Sequence, residues 1–200
     1  MQNIVQNIQL AFSKFHNTCI TLDRNICPSI AVYDDILEFL ERTPIFRAIT
    51  ERTVVYRSHV FRFWSAATIN AEKTENRSIV RVGNEDVEFI VPEEDIRRVL
   101  GFGGDATDPM KFEERFVRGC FYRMGYRGHV YESTLKKGGV PNPYKLLIHA
   151  IIQTFSHRKA GLDDVQDYMA CMATTLVLNR PFNYAKFVLT HMMNNMGTNR

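Results

Sequence analysis

The stretch from Pro141 to Met196, PNPYKLLIHAIIQTFSHRKAGLDDVQDYMACMATTLVLNRPFNYAKFVLTHMMNNM, decides the fold class. It reads as three consecutive helices joined by short turns. Asn142 and Pro143 stand where an N-cap and a first helical residue belong. From Leu146 to Phe155 apolar side chains occupy nearly every face, which predicts a helix buried on most sides. Gly161 ends that unit, Asp163 and Asp164 place negative charge at the next N-terminus, and Pro181 closes the second helix. A packed helical core follows from this pattern, and no catalytic signature does.

Working outward, residues 3–20 carry Ile4, Val5, Ile8, Ala11, Phe12 and Phe15 at helical spacing with Gln and Asn between them, an amphipathic arm. Ser29 is placed to cap a helix whose face is Ile30, Tyr33, Ile36, Leu37 and Leu40, and which ends at Thr43-Pro44. A short helical turn spans Ile45–Ile49, and a longer helix spans Val54–Ile69. Polar residues Asn70–Asn76 read as a loop. SIVRVGNEDVEFIV then alternates apolar and polar positions on both sides of Gly83-Asn84, the signature of a β-hairpin over Ile79–Val82 and Val87–Ile90. Pro92-Glu93-Glu94-Asp95 starts a helix that Gly101 ends. Pro109 opens another, running to about Met124, and Gly125–Val140 is irregular. The expected fold is mainly α: a compact multi-helix domain with a small two-stranded β-hairpin insert. Its organisation is an N-terminal helical arm over 1–22 and a single helical domain over 29–196.

The order PYKLLIHAIIQ, SHRKAGLDDV and NRPFNYAKFVLTHMMNN, with PEEDIRRVLGF after the hairpin, resembles the plant transposon protein family, a domain of plant retroelement-encoded proteins. There an apolar helix with an internal His leads to a Lys/Gly turn. A second helix then meets a basic-Pro-aromatic-Asn step like Arg180-Pro181-Phe182-Asn183. The resemblance spans roughly Ile30 to Met196 and rests on core and turn positions. It implies a retroelement-derived helical domain and carries no catalytic residue onto this chain.

Composition narrows the function classes. At 45% hydrophobic and 24% charged residues, the chain can build a core. A formal net charge of +3 is too small to argue nucleic-acid binding from bulk charge, so that case rests on local clustering. Cys19, Cys27, Cys120 and Cys171 are scattered, which favours reduced, buried thiols. Lys145, His149 and Gln153 interrupt the best candidate for a membrane span, and MQNIVQNIQLAF lacks the basic start of a signal peptide. An intracellular protein is expected.

The short motifs all have plainer readings than chemistry. Tyr33-Asp34-Asp35 lacks the spacing and strand turn of a two-metal polymerase site, and its acids suit the start of a helix. No zinc-knuckle spacing occurs, and no Asp-Thr/Ser-Gly triplet of aspartic proteases. Gly101–Asp105 follows a helix and lacks the Walker Lys, so it reads as a helix stop. His149 and His191 read as core histidines, and His157-Arg158-Lys159 as a helix C-terminus. Arg47, Arg52, Arg57 and Arg62 step by about 140° and scatter around the surface. An enzyme would need distant groups such as Cys120, His149 and Asp163 to converge. No cofactor, metal or small-molecule substrate is implied.

The strongest candidate lies between residues 109 and 137, which hold seven basic against three acidic side chains. Lys111, Arg115, Arg118, Arg123, Arg127, Lys136 and Lys137 interleave with Tyr122, Tyr126 and Tyr131. That pattern suits phosphate contact with base stacking. Two functions are therefore expected in order. The first is a non-enzymatic interaction module that joins a protein partner or a second copy through apolar helical faces, including the Met192-Met193-Met196 end. The second is a nucleic-acid-binding domain using region 111–137.

Overall fold

A computed structural model of the chain describes residues 31–51, 56–82, 84–131, 134–156 and 163–197. The expected arm over 1–22, the Ser29 cap, Cys19, Cys27, Arg52, Gly83, the His157-Arg158-Lys159 turn and Gly161 lie outside the described residues. Helices α1 (Ala31–Glu41), α2 (Phe46–Thr50) and α3 (Arg57–Ala66) precede strands β1 (Ala67–Ile69), β2 (Glu75–Val82) and β3 (Glu85–Pro92). Then come α4 (Glu93–Leu100), α5 (Glu114–Arg123), a 3-10 turn (Lys137–Gly139), α6 (Asn142–Phe155), α7 (Asp167–Val177) and α8 (Tyr184–Gly197). The expectation of a mainly α fold with a two-stranded hairpin is thus corrected: the described helices accompany a three-stranded antiparallel sheet of order β1-β2-β3, a mixed α/β fold. By their contacts the described residues fall into two compact units, one of 31–51 and 100–184, the other of 56–99 and 185–197.

The first unit is built around α7. Its residues Met169 to Leu176 are all buried, and it packs on α6 and α5. Helix α6 buries Leu147, Ile148, Ala150, Ile151 and Ile152, and also meets α1 and α2, whose Leu40, Ile45 and Ile49 are buried. A fully buried aliphatic side chain contributes about 1.5–3 kcal/mol, so these helices hold most of the unit's stabilisation. Phe102, Phe155, Phe182 and Tyr184 add an aromatic cluster, with ring centroids 5.5 Å apart for Phe102–Tyr184 and 4.8 Å for Phe182–Tyr184.

Three helix boundaries differ from expectation, the first two because a long-range bond competes with the helix. Pro109 does not open α5, which starts at Glu114. The Asn183 amide donates to the Pro109 carbonyl (3.1 Å), and Asn183 Nδ2 donates to the Ala106 carbonyl (3.0 Å). Asp163 and Asp164 do not start α7, which begins at Asp167. Asp163 instead accepts the Gly138 amide at Oδ1 (2.9 Å) and the Lys137 amide at its carbonyl (2.7 Å). Asn142 is helical rather than a cap, and the N-cap position belongs to Pro141. Helix ends follow local chemistry more closely. Gly125, at φ +84°, ends α5 while Tyr126 N–H donates to the Phe121 carbonyl and Gly125 N–H to that of Tyr122, a Schellman motif. Asn179, at φ +48°, does the same after α7, with Arg180 N–H bonded to the Thr175 carbonyl.

In the second unit, β2 and β3 pair along their whole length, from Glu75↔Pro92 to Val82↔Glu85. The hairpin is longer than the sequence pattern indicated. Helix α3 packs on β2, and Ser78 Oγ donates to the Phe63 carbonyl (2.8 Å). The third strand was missed because Ala67–Ile69 ends an apolar stretch that reads as helix. The structure turns it at Asn70, whose Oδ1 accepts the Thr74 and Glu75 amides (2.8 and 3.2 Å) and whose Nδ2 donates to Thr74 Oγ1 (2.7 Å). This Asx-type closure lets Ala67–Ile69 pair with Asn76–Ser78.

Candidate functional site

Helix α5 turns Val117, Cys120 and Phe121 into the core. Successive helical residues rotate by about 100°, so the line opposite that core carries Arg115 and, seven residues on, Tyr122, with Gly119 and Arg123 beside them. Tyr122 is 70% exposed, and a side chain at Gly119 would meet nothing within 4 Å. The outer face of α5 is therefore a low saddle between an arginine and an exposed phenol ring.

The seven basic candidates separate into two groups. Arg118 is spent internally: its side chain is only 16% exposed, Nε bonds Glu114 at 2.7 Å, and Nη1 donates to the Val130 carbonyl. Lys136 pairs with Asp164, whose carboxylate holds the ammonium pKa above its ordinary value. Lys137 Nζ lies 3.4 Å from His149 Nδ1 and, having only hydrogens to offer, donates to it. Burial first, and Lys137 second, lower the His149 pKa, so the imidazole is held neutral with its proton on Nε2. Lys111, Arg115, Arg123 and Arg127 are exposed and make no ion pair among the described residues. The structure brings Arg115 and Arg123 together on α5 and does not add Lys136 or Lys137 to them.

The tyrosines divide in the same way. Tyr126 is structural: its ring lies against Gly139 and Gly128, and its Oη accepts the Lys136 amide (3.0 Å). Tyr131 is 63% exposed, directly after the Val130 that Arg118 tethers. The spacing Glu114–Arg118 was a readable clue to that internal role, being an i,i+4 ion pair. The bond to Val130 left no local trace.

Other candidates are accounted for by packing. Cys120 and Cys171 are free, buried thiols whose pKa values burial raises. Asp163 is engaged by the Lys137–Gly138 amides and His149 by Lys137. Burial likewise pushes up the Tyr184 phenol, which sits 3.4 Å from Thr175 Oγ1. Met193 is buried and Met192 and Met196 are half-buried, so the end of α8 is not an open apolar patch. A cleft beside α5, lined by Lys111, Phe112, Arg118, Asp167 and Cys171 among others, has a volume of about 210 Å³. That is below the roughly 300–1,000 Å³ of typical ligand pockets. Among the described residues no group of three or more His, Cys, Asp or Glu side chains could hold a metal ion, and no helix is long and apolar enough to cross a membrane.

The second unit offers a different kind of surface. Among the described residues, nine of the thirteen exposed large hydrophobic side chains fall between Tyr56 and Val99, which singles out this segment. Val60 and Trp64 stand four residues apart along α3, Phe61 beside them is 71% exposed, and Tyr56, the N-cap residue with extended backbone, is exposed just before the helix. Comparison of the chain with protein-family models, with curated proteins and with solved structures finds no match.

Proposed function

We propose that the chain is a non-enzymatic assembly module that joins a second copy of itself through the exposed apolar face of α3. The single observation that carries this is the run Val60, Phe61 and Trp64, three large exposed apolar side chains at helical spacing on α3, with exposed Tyr56 at its N-cap. Contiguous exposed apolar surface marks association sites. A two-fold contact sets identical patches against each other, and the apolar side chains Val60, Phe61 and Trp64 can meet their copies without opposing like charges. The edge of β3 that pairs with no strand among the described residues is less suited to self-pairing, because it would set the acidic Glu85, Asp86 and Glu88 of two copies close together. The resemblance of residues 30–196 to the plant transposon protein family supports a retroelement-derived origin, consistent with a domain whose residues serve packing and turns.

Light scattering across a range of concentrations tests the reading. A dimer that Phe61→Glu converts to monomer is the expected result. A monomer at every concentration, or a dimer that Phe61→Glu leaves intact, overturns it. Because Phe61 is largely exposed, the substitution leaves folding in place, and circular dichroism checks that directly.

A further inference from the structure

The seventeen residues from Arg115 to Tyr131 hold four arginines and no carboxylate. In the structure this segment is helix α5, its Schellman turn and the loop to Tyr131, with Arg115, Arg123 and Arg127 exposed on it and Phe116 38% exposed between them. We propose that the outer face of α5 and the adjoining loop form a binding site for single-stranded nucleic acid. Arg115 and Arg123 stand about 12 Å apart along the helix, eight residues at 1.5 Å each, and Arg127 follows past the turn. Such planar, permanently charged groups suit phosphate oxygens. Gly119 leaves the surface between Arg115 and Arg123 open, so a strand can lie close to the helix backbone. Tyr122 and Tyr131 supply two exposed rings, and flat π faces accept unpaired bases of any sequence.

Arg118 acts as a positioning residue. Its bonds to Glu114 and the Val130 carbonyl tie the loop to α5 at the residue before Tyr131.

The chemistry distinguishes this ligand from other polyanions. Bases inside a duplex are already stacked, so two exposed rings gain their partners only from unpaired strands. An anionic membrane needs a broad apolar face to insert, but Val117, Cys120 and Phe121 of α5 are buried in the core and Phe116, 38% exposed, is the one large aliphatic or phenyl side chain the helix leaves on its surface. An acidic peptide would use the arginines and leave both rings idle.

The experiment measures binding of a labelled single-stranded oligonucleotide of mixed sequence by fluorescence anisotropy over a salt series. The same strand as a duplex, polyglutamate and phosphatidylserine vesicles serve as competitors. Three neutralised phosphates give a log–log salt slope of about −2. Tyr122→Ala is expected to weaken binding about tenfold at unchanged slope. Arg115→Gln with Arg123→Gln brings the slope to about −0.7. Arg42→Gln, at the exposed arginine directly after α1, is the control and leaves both quantities unchanged. No binding at low salt, equal competition by duplex, polyglutamate or vesicles, or full affinity in Tyr122→Ala overturns the proposal. Repeating the titration on Phe61→Glu separates this site from the apolar face, since failure of one leaves the other standing.

Discussion

Helix α7 and the segment 56–99 use their apolar residues in opposite ways. Every residue of α7 from Met169 to Leu176 is buried, whereas 56–99 buries only Asn76, Ser78 and Ile96 among its described side chains. Two of those three are polar, so the covered face of the sheet is not a conventional apolar core. Large side chains such as Phe61, Trp64, Ile79, Phe89 and Ile90 meet solvent instead. The helical unit has consumed its hydrophobic surface in folding. The sheet-bearing segment leaves much of its own exposed.

Substitutions can break this contrast, and the largest effect belongs to the helical core. Leu147→Ala is expected to lower unfolding free energy by about 3 kcal/mol, while Phe61→Ser stays within about 0.5 kcal/mol, both read from urea denaturation. Comparable losses at the two sites would erase the distinction. Next in size is Gly139→Ala. A Cβ there would press into the Tyr126 ring, whose Oη is fixed by the Lys136 amide, and overpacking of this kind costs about 1–3 kcal/mol. Unchanged stability would show that the ring can yield.

A gain rather than a loss is expected at Asn76. Its amide is fully buried and, among the described residues, neither of its side-chain polar atoms has a hydrogen-bond partner. Asn76→Leu, with the same branched set of side-chain heavy atoms, should raise stability by about 1 kcal/mol. A loss would reveal that the amide is satisfied after all.

The pH dependence sharpens the comparison last. The folded pKa of His149 is depressed, so the unfolded chain takes up its proton first. Its contribution is present above the unfolded value of about 6.5 and is lost as pH falls below it toward the folded pKa. Thermal melts between pH 7.5 and about 5 should therefore fall more steeply for the native chain than for His149→Gln. Parallel curves would remove His149 from the account.

Local signals made much of the helical unit readable. The apolar wheel of Leu146–Phe155 and the glycine at 125 belong to interactions within four or five residues, which a linear reading contains. The β2–β3 hairpin was legible for the same reason, its alternation and short connection being adjacent in the chain. The misses share a different cause. Asn70 turns the chain through side-chain bonds that look, in sequence, like any polar loop. Asp163 and Asp164 read as helix-start acids until the Lys136–Gly138 turn, some 25 to 28 residues away, claims them.

By itself, the sequence determined that this chain builds a buried helical core and carries a carboxylate-free, arginine- and tyrosine-rich segment at 115–131. Periodicity and charge are properties of neighbours along the chain, so they survive without coordinates. Only the tertiary structure decided that the sheet has a third strand, which hydrophobic faces stay exposed, and which cations are already paired. Arg118, Lys136 and Lys137 find their partners across the fold, and such bonds depend on where distant backbone arrives rather than on what precedes or follows each residue.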